Sequence, residues 1–241
     1  MLDKFIKESA DLASYSEIEL NSISYSVNSL KDILADQPNF MGPFIGGSFK
    51  RGTLVKKVSD VDVHFIYTGS EGPMPTLARL KTDIATRYPK TYTRQGQPSV
   101  MFSLGAIPFK INIYRRDEYG NMSISDDFFL NWRPVNFRKL EKSVISLSRK
   151  SKMFIDLIKV LKLWNFNYAK GLMNGDIEDR VCKLFLNSKE TLAEDDLPEM
   201  MWAFFNHNKF QPVANRLFSL MKKRESETAL KSEWMKFIGN E

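Results

Sequence analysis

The densest chemistry in the chain lies between Gly46 and Phe65, GGSFKRGTLVKKVSDVDVHF. Two carboxylates, Asp60 and Asp62, stand two residues apart inside the apolar run from Val58 to Tyr67. Alternation along a strand puts both on one face, with Val61 and Val63 on the other. Neighbouring carboxylates repel each other unless a cation lies between them. Hard oxygen ligands at this density suit Mg²⁺, which prefers to be shared with substrate phosphates. Gly46 and Gly47 let backbone approach an anion closely, and Ser48 offers a hydroxyl at the start of a short helix. A phosphate cradle followed by metal-holding acids is the apparatus for moving a nucleotidyl group.

The spacing carries more than its parts. Gly47-Ser48, Gly52-Thr53 and Ser59-Asp60-Val61-Asp62-Val63 together resemble the polymerase-β-like nucleotidyltransferase superfamily, and within it the cGAS/DncV-like and oligoadenylate-synthase group. The resemblance covers roughly residues 15–190 and is most specific in its first half. It implies attack of a hydroxyl on the α-phosphate of an NTP or dNTP, with pyrophosphate leaving and Mg²⁺ (or Mn²⁺) required. Asp60 and Asp62 would hold the metals, and Gly47, Ser48 and Ser59 would bind the nucleotide. The implied product is a cyclic or linear oligonucleotide signal made in bacterial antiphage defence, with a partner protein as the source of any stimulus. Two other readings stay open: nucleotidyl transfer onto a protein or tRNA, and an inactive nucleotide-binding regulator.

Such enzymes use a third carboxylate on a neighbouring strand. The strand that matches is Pro108–Tyr114, and the position of the acid is held by Asn112. The amide keeps one carbonyl oxygen but removes a full negative charge. That weakens the metal that activates the hydroxyl more than the one carried in with the nucleotide, so binding should outlast chemistry. Asn112 admits three accounts: an aspartate deliberately replaced to trap substrate, a natural loss, or a stand-in acid at Asp117 or Glu118. Asp117 lies five residues on, roughly 16 Å along an extended chain, and ranks last.

Around these residues the sequence predicts a helix from Ser16 to Leu34, a short strand at Phe44-Ile45, and a strand over Val61–Tyr67. A helix capped by Thr76 and stopped by Pro89 follows, then strands at Thr91–Arg94 and Ser99–Leu104 around a Gln-Gly-Gln-Pro turn. Residues 1–13 read as a lead-in, frayed or docked on a partner. From Asp126 the pattern turns helical. Strands first and helices afterwards indicate α+β, with a twisted mixed sheet in a catalytic lobe over residues 1–125, a helical lobe over 126–241, and the site in the cleft between them.

In the helical half, Phe154, Leu157, Ile158, Leu161 and Trp164 form one apolar helix stripe. Lys162 falls at its margin, from which an ammonium can snorkel into a cleft, and Lys159 points further toward water. The resemblance assigns the triphosphate contact to Lys162, with Lys159 second; a solvated lysine is the alternative. Tyr168 and the Gly175–Glu178 helix start occupy the region of family base contacts, and Arg115-Arg116 follows the third-acid strand.

The net charge of +6 and pI near 9.2 favour polyanions, including nucleic acid, without establishing them. One cysteine, Cys182, and two distant histidines, His64 and His207, exclude a disulfide framework and a Cys or His metal cluster. With no apolar run long enough to span a bilayer and no secretory signal pattern, the expectation is a cytoplasmic protein without membrane contact.

Overall fold

The computed structural model describes every residue except 35–36, 38, 94–98, 127, 129, 136–137, 188–195 and 240–241. Arg94 and the Gln-Gly-Gln-Pro turn therefore lie outside the described residues. By contact the chain divides into two compact units, Tyr15–Arg138 and Met1–Ser14 with Lys139–Glu241. The N-terminal helix α1 (Leu2–Leu12) belongs to the second unit.

The first unit begins with α2 (Glu17–Asn28) and α3 (Leu30–Leu34), so the single helix expected from Ser16 to Leu34 is two. It continues with β1 (Phe40–Ile45), the one-turn α4 (Gly47–Lys50), β2 (Val61–Tyr67) and α5 (Pro73–Arg87). The remaining strands are β3 (Tyr92–Thr93), β4 (Ser99–Leu104), β5 (Ile107–Arg116), β6 (Met122–Ser125) and β7 (Trp132–Pro134). They form one sheet in the order β1-β2-β5-β4-β3, with β6 beside the far end of β5 and β7 beside β6. The β2–β5 pair is parallel and the other pairs are antiparallel, so the sheet is mixed. One face is apolar: Val61, Val63 and Phe65 with Phe109, Ile111 and Ile113 pack against Ile23, Val27, Leu77, Leu80 and Ile84 of the helices. Alternation sends Asp62, His64, Lys110 and Asn112 to the other face.

Thr76 does not cap α5. Its hydroxyl donates to the Gly72 carbonyl at 2.8 Å inside the first turn. Gly72 takes the cap position, and Pro73 starts the helix where no N–H is needed. β6 and β7, absent from the sequence reading, carry the sheet to Pro134, so the unit boundary falls at Arg138/Lys139 rather than at 125/126. The β6–β7 link is built on Asp126, which is buried and accepts from Leu130 N–H, Asn131 N–H and Asn131 Nδ2. Burial pushes its pKa up, but these donors outweigh burial and hold the carboxyl below its ordinary value.

A capping box starts α2: Ser16 Oγ accepts from Glu19 N–H, and the Glu19 carboxylate accepts from Ser16 N–H at 2.7 Å. The same carboxylate meets Lys56 Nζ at 2.8 Å, which ties the basic loop before Ser59 to this helix. Lys56, then the Ser16 donors, lower the Glu19 pKa from 4.5 to about 2. A depressed carboxyl pKa stabilises the fold above the unfolded value and loses that contribution as pH falls through the folded one. Glu19→Gln should therefore melt below the parent at pH 7, and the gap should close between pH 4.5 and 2. Melting curves across that range check it.

The second unit consists of α1 with α6 (Arg138–Ser148), α7 (Lys152–Asn167), α8 (Asn174–Asn187), α9 (Leu197–His207), α10 (Gln211–Lys222) and α11 (Glu227–Ile238). Residues 1–13 are no frayed lead-in: Leu2, Phe5, Ile6 and Ala10 are in this unit's core, and Trp234 Nε1 donates to Ser9 Oγ at 2.9 Å. An apolar 3–4 spacing hidden among charges made that helix look like a tail. Buried residues of α7, including Phe154, Leu157, Ile158, Leu161 and Trp164, form the middle of the core. Among the described residues no helix is long and apolar enough to cross a membrane.

Candidate active site

β1 runs antiparallel to β2 and delivers Gly46 opposite Asp62, whose carbonyl accepts from Gly46 N–H at 3.0 Å. The chain then turns into α4 across the sheet face that carries Asp62 and His64. A Cβ on Gly46 would lie 2.1 Å from the His64 ring, and one on Gly47 would lie 1.8 Å from Asp62 Oδ2. Gly47 also has φ +57°, so glycine is required there twice, by conformation and by space. The second half of the motif closes the short helix. Gly52, at φ +73°, donates to the Phe49 carbonyl at 3.1 Å, and Thr53 N–H reaches the Ser48 carbonyl at 2.9 Å. Ser48 itself is buried.

Two glycine variants separate these demands. Gly52→Ala meets open space and should cost only the left-handed backbone strain, about 1–2 kcal/mol. Gly47→Ala adds the collision with Asp62 and should also abolish metal-dependent nucleotide binding. Melting and calorimetric titration of the pair check this; equal behaviour of the two variants would remove the close approach from the argument.

β2 begins at Val61, where pairing with β5 starts, so Asp60 sits in the connection immediately before the strand rather than within it. Both carboxylates are half-buried. Asn112 is buried on β5, in register with His64, and its Nδ2 donates to Asp62 Oδ1 at 3.3 Å. The amide thus stands beside the Asp62 carboxylate. Lys110 is the ladder partner of Asp62, Ser99 that of Asn112, and the His64 ring meets Tyr114 edge-on at 4.9 Å. Sequence reasoning missed Lys110 and His64, although the parity that singles out Asn112 also selects them.

Other expected residues are placed differently. Ser59 is buried, accepts from Val55 N–H at 3.3 Å and donates its own N–H to the Val55 carbonyl at 3.0 Å, so it closes the turn ahead of Asp60. Lys162 is not at a margin. It is fully buried, with Nζ 2.6 Å from the equally buried Glu178 of α8. Helical spacing alone could not show that α8 covers that side of α7. Lys159 is half-buried rather than turned to water and donates to Ser14 Oγ at 2.7 Å. Tyr168 donates its hydroxyl to the Lys236 carbonyl at 2.6 Å, a packing role rather than a free stacking face.

Asp117 does not stand in for the third acid. It heads the β5–β6 hairpin and accepts from Asn121 Nδ2 and from the N–H groups of Asn121 and Tyr119. These donors, with the Asn121 side chain first, lower its pKa. Glu118 is exposed in the same loop. Arg115 lies on the sheet face opposite Asp62 and Asn112, and Arg116 is exposed at the strand's end.

Among the described residues no group of three His, Cys, Asp or Glu side chains could hold a metal ion. The carboxylates of Asp60 and Asp62 are oxygen donors of the hard kind that Mg²⁺ would take together with water and substrate phosphates.

A mixed sheet with a glycine turn packed on Asp62 is the kind of catalytic lobe that the sequence motifs predict for a nucleotidyltransferase. Residues 2–144 match the Second Messenger Oligonucleotide or Dinucleotide Synthetase domain, SMODS, and the chain belongs to that family. Among solved structures, CdnC of E. coli MS115-1 with ATP is similar at a TM-score of 0.77 and 14% identity, over 98% of this chain and 97% of that one. The same protein in its CdnC:HORMA-deltaN complex gives 0.76 and 14%, over 98% and 96%. The STING-associated CdnE c-di-GMP synthase of Capnocytophaga granulosa gives 0.63 and 13%, over 96% and 82%. At these identities the likeness is one of fold. No curated protein matches the sequence.

Proposed function

We propose that the protein joins nucleotides into a cyclic or linear oligonucleotide signal by Mg²⁺-dependent transfer at Asp60 and Asp62, with Mn²⁺ as a substitute. The observation that carries this reading is the packing of the Gly46–Gly47 turn on Asp62. Backbone that can face a triphosphate is thereby held against the carboxylate that would share a cation with it. The bound metal would neutralise the phosphates and polarise the attacked phosphorus. The chain's own part is positional: α4 and Gly47 hold the phosphate end, and Asn112 orients Asp62 through its donated hydrogen bond. Lys162 is paired with Glu178, whereas strand alternation turns Lys110 to the face of Asp62.

CdnC, a relative in fold, is known in complex with HORMA-deltaN, which favours a regulatory protein partner here; a place in bacterial antiphage defence is proposed with it on the resemblance of the sequence motifs. The chain with Mg²⁺ and each labelled NTP and dNTP, with and without such a partner, is expected to release a free oligonucleotide. Label on a macromolecule would move the assignment to transfer onto protein or tRNA. Asn112 favours a second reading, a nucleotide-binding regulator without turnover; binding with no product under every condition would select it.

A further inference from the structure

A second candidate site lies on the opposite face of the sheet, at the end away from the carboxylates. Arg115, Ser123 and Pro134 are ladder partners across β5, β6 and β7, so their side chains share one face, and alternation adds Asn121 and Trp132 to it. With Asp117 at the rim, these residues line a groove of about 730 Å³, within the range of small-ligand sites. The indole wall is fixed: Trp132 Nε1 donates to the Glu71 carbonyl at 3.1 Å, and the ring stacks on Tyr67 at 6.4 Å and 23°. The Arg115 guanidinium forms no ion pair among the described residues, and its Nε is buried without a hydrogen-bond partner. Asp117 feels the Arg115 charge, but its hydrogen bonds come from the hairpin donors, so it leaves that Nε without a partner.

A flat ring held by its neighbours, a cation elsewhere on the same groove, and hydroxyl and amide groups along it recognise a planar heterocycle that carries an anionic group. We propose that this groove binds a nucleoside phosphate independently of the carboxylate pair, with the base on Trp132 and the phosphate at Arg115. The choice of a nucleotide among planar anions rests on the proposed function. The volume holds either a free mononucleotide or one end of an oligonucleotide product. Occupancy here would let the protein sense nucleotide supply or its own product away from the site of chemistry.

The test uses the full chain carrying Asp60→Asn and Asp62→Asn, in EDTA, titrated calorimetrically with AMP, GMP and the dinucleotide pApA. One binding event should persist. Arg115→Gln or Trp132→Leu added to that background should weaken it at least about tenfold, the scale of one lost stacking or charge contact, with the melting temperature of the Arg115 variant unchanged. Tighter binding of pApA would identify the product as ligand, and tighter binding of a mononucleotide the substrate pool. Absence of binding, or unaltered binding in the Arg115→Gln variant, overturns the proposal. Neither result touches the proposed function, which is read from Mg²⁺-dependent product formation by the parent chain.

Discussion

Asn112→Asp is expected to raise metal-dependent nucleotidyl transfer by about 100-fold or more. A metal that polarises a phosphoryl oxygen supplies several kcal/mol of transition-state stabilisation, and each 1.4 kcal/mol is a factor of ten. An amide beside Asp62 withholds one of the charges that would retain that metal. The substitution also reverses a local interaction. Asn112 now donates to Asp62 Oδ1 at 3.3 Å, whereas aspartate would set a like charge against it in a buried position. The variant should therefore melt below the parent in EDTA and recover most of the loss on adding Mg²⁺ or Mn²⁺, while the parent responds much less. Product analysis alongside melting with and without metal reads both effects. If parent and variant form product at the same rate and melt alike, Asn112 is not at the position of the third acid.

Lys162→Ala is expected to cost about 3–5 kcal/mol of stability, because it leaves Glu178 charged and buried without its ammonium. Both side chains have 0% exposure and the contact is 2.6 Å, so solvent cannot screen the remaining charge. Replacing the pair together, Lys162→Met with Glu178→Leu, should recover most of the loss, since apolar residues of similar volume often substitute for a buried ion pair at little net cost. Denaturant unfolding of Lys162→Met, Glu178→Leu and the double variant gives the coupling energy. A triphosphate-binding lysine would behave otherwise: Lys162→Ala would keep its melting temperature and raise KM for the nucleotide. That result would return Lys162 to the triphosphate contact that the resemblance assigned to it.

The sequence alone determined the glycine turn and the carboxylate strand of this protein. Gly47-Ser48, Gly52-Thr53 and Ser59-Asp60-Val61-Asp62-Val63 are legible because they are local. Left-handed glycines, a strand's period of two and paired carboxylates express their constraints within twenty consecutive residues. The same alternation places Asn112 on the face of Asp62 once β5 is recognised as a strand. What only the tertiary structure decided concerns partners distant in sequence. Glu178 covers Lys162 because α8 folds back on α7, and no periodicity in α7 records that. The first helix joins the core of residues 139–241 through apolar positions that a charged sequence disguises. The strands β6 and β7 are too short to announce themselves, yet they carry the sheet past residue 125 and put Arg115 and Trp132 on one groove. Local pattern determines which face a side chain takes on its own element, whereas long-range packing determines what then stands against that face.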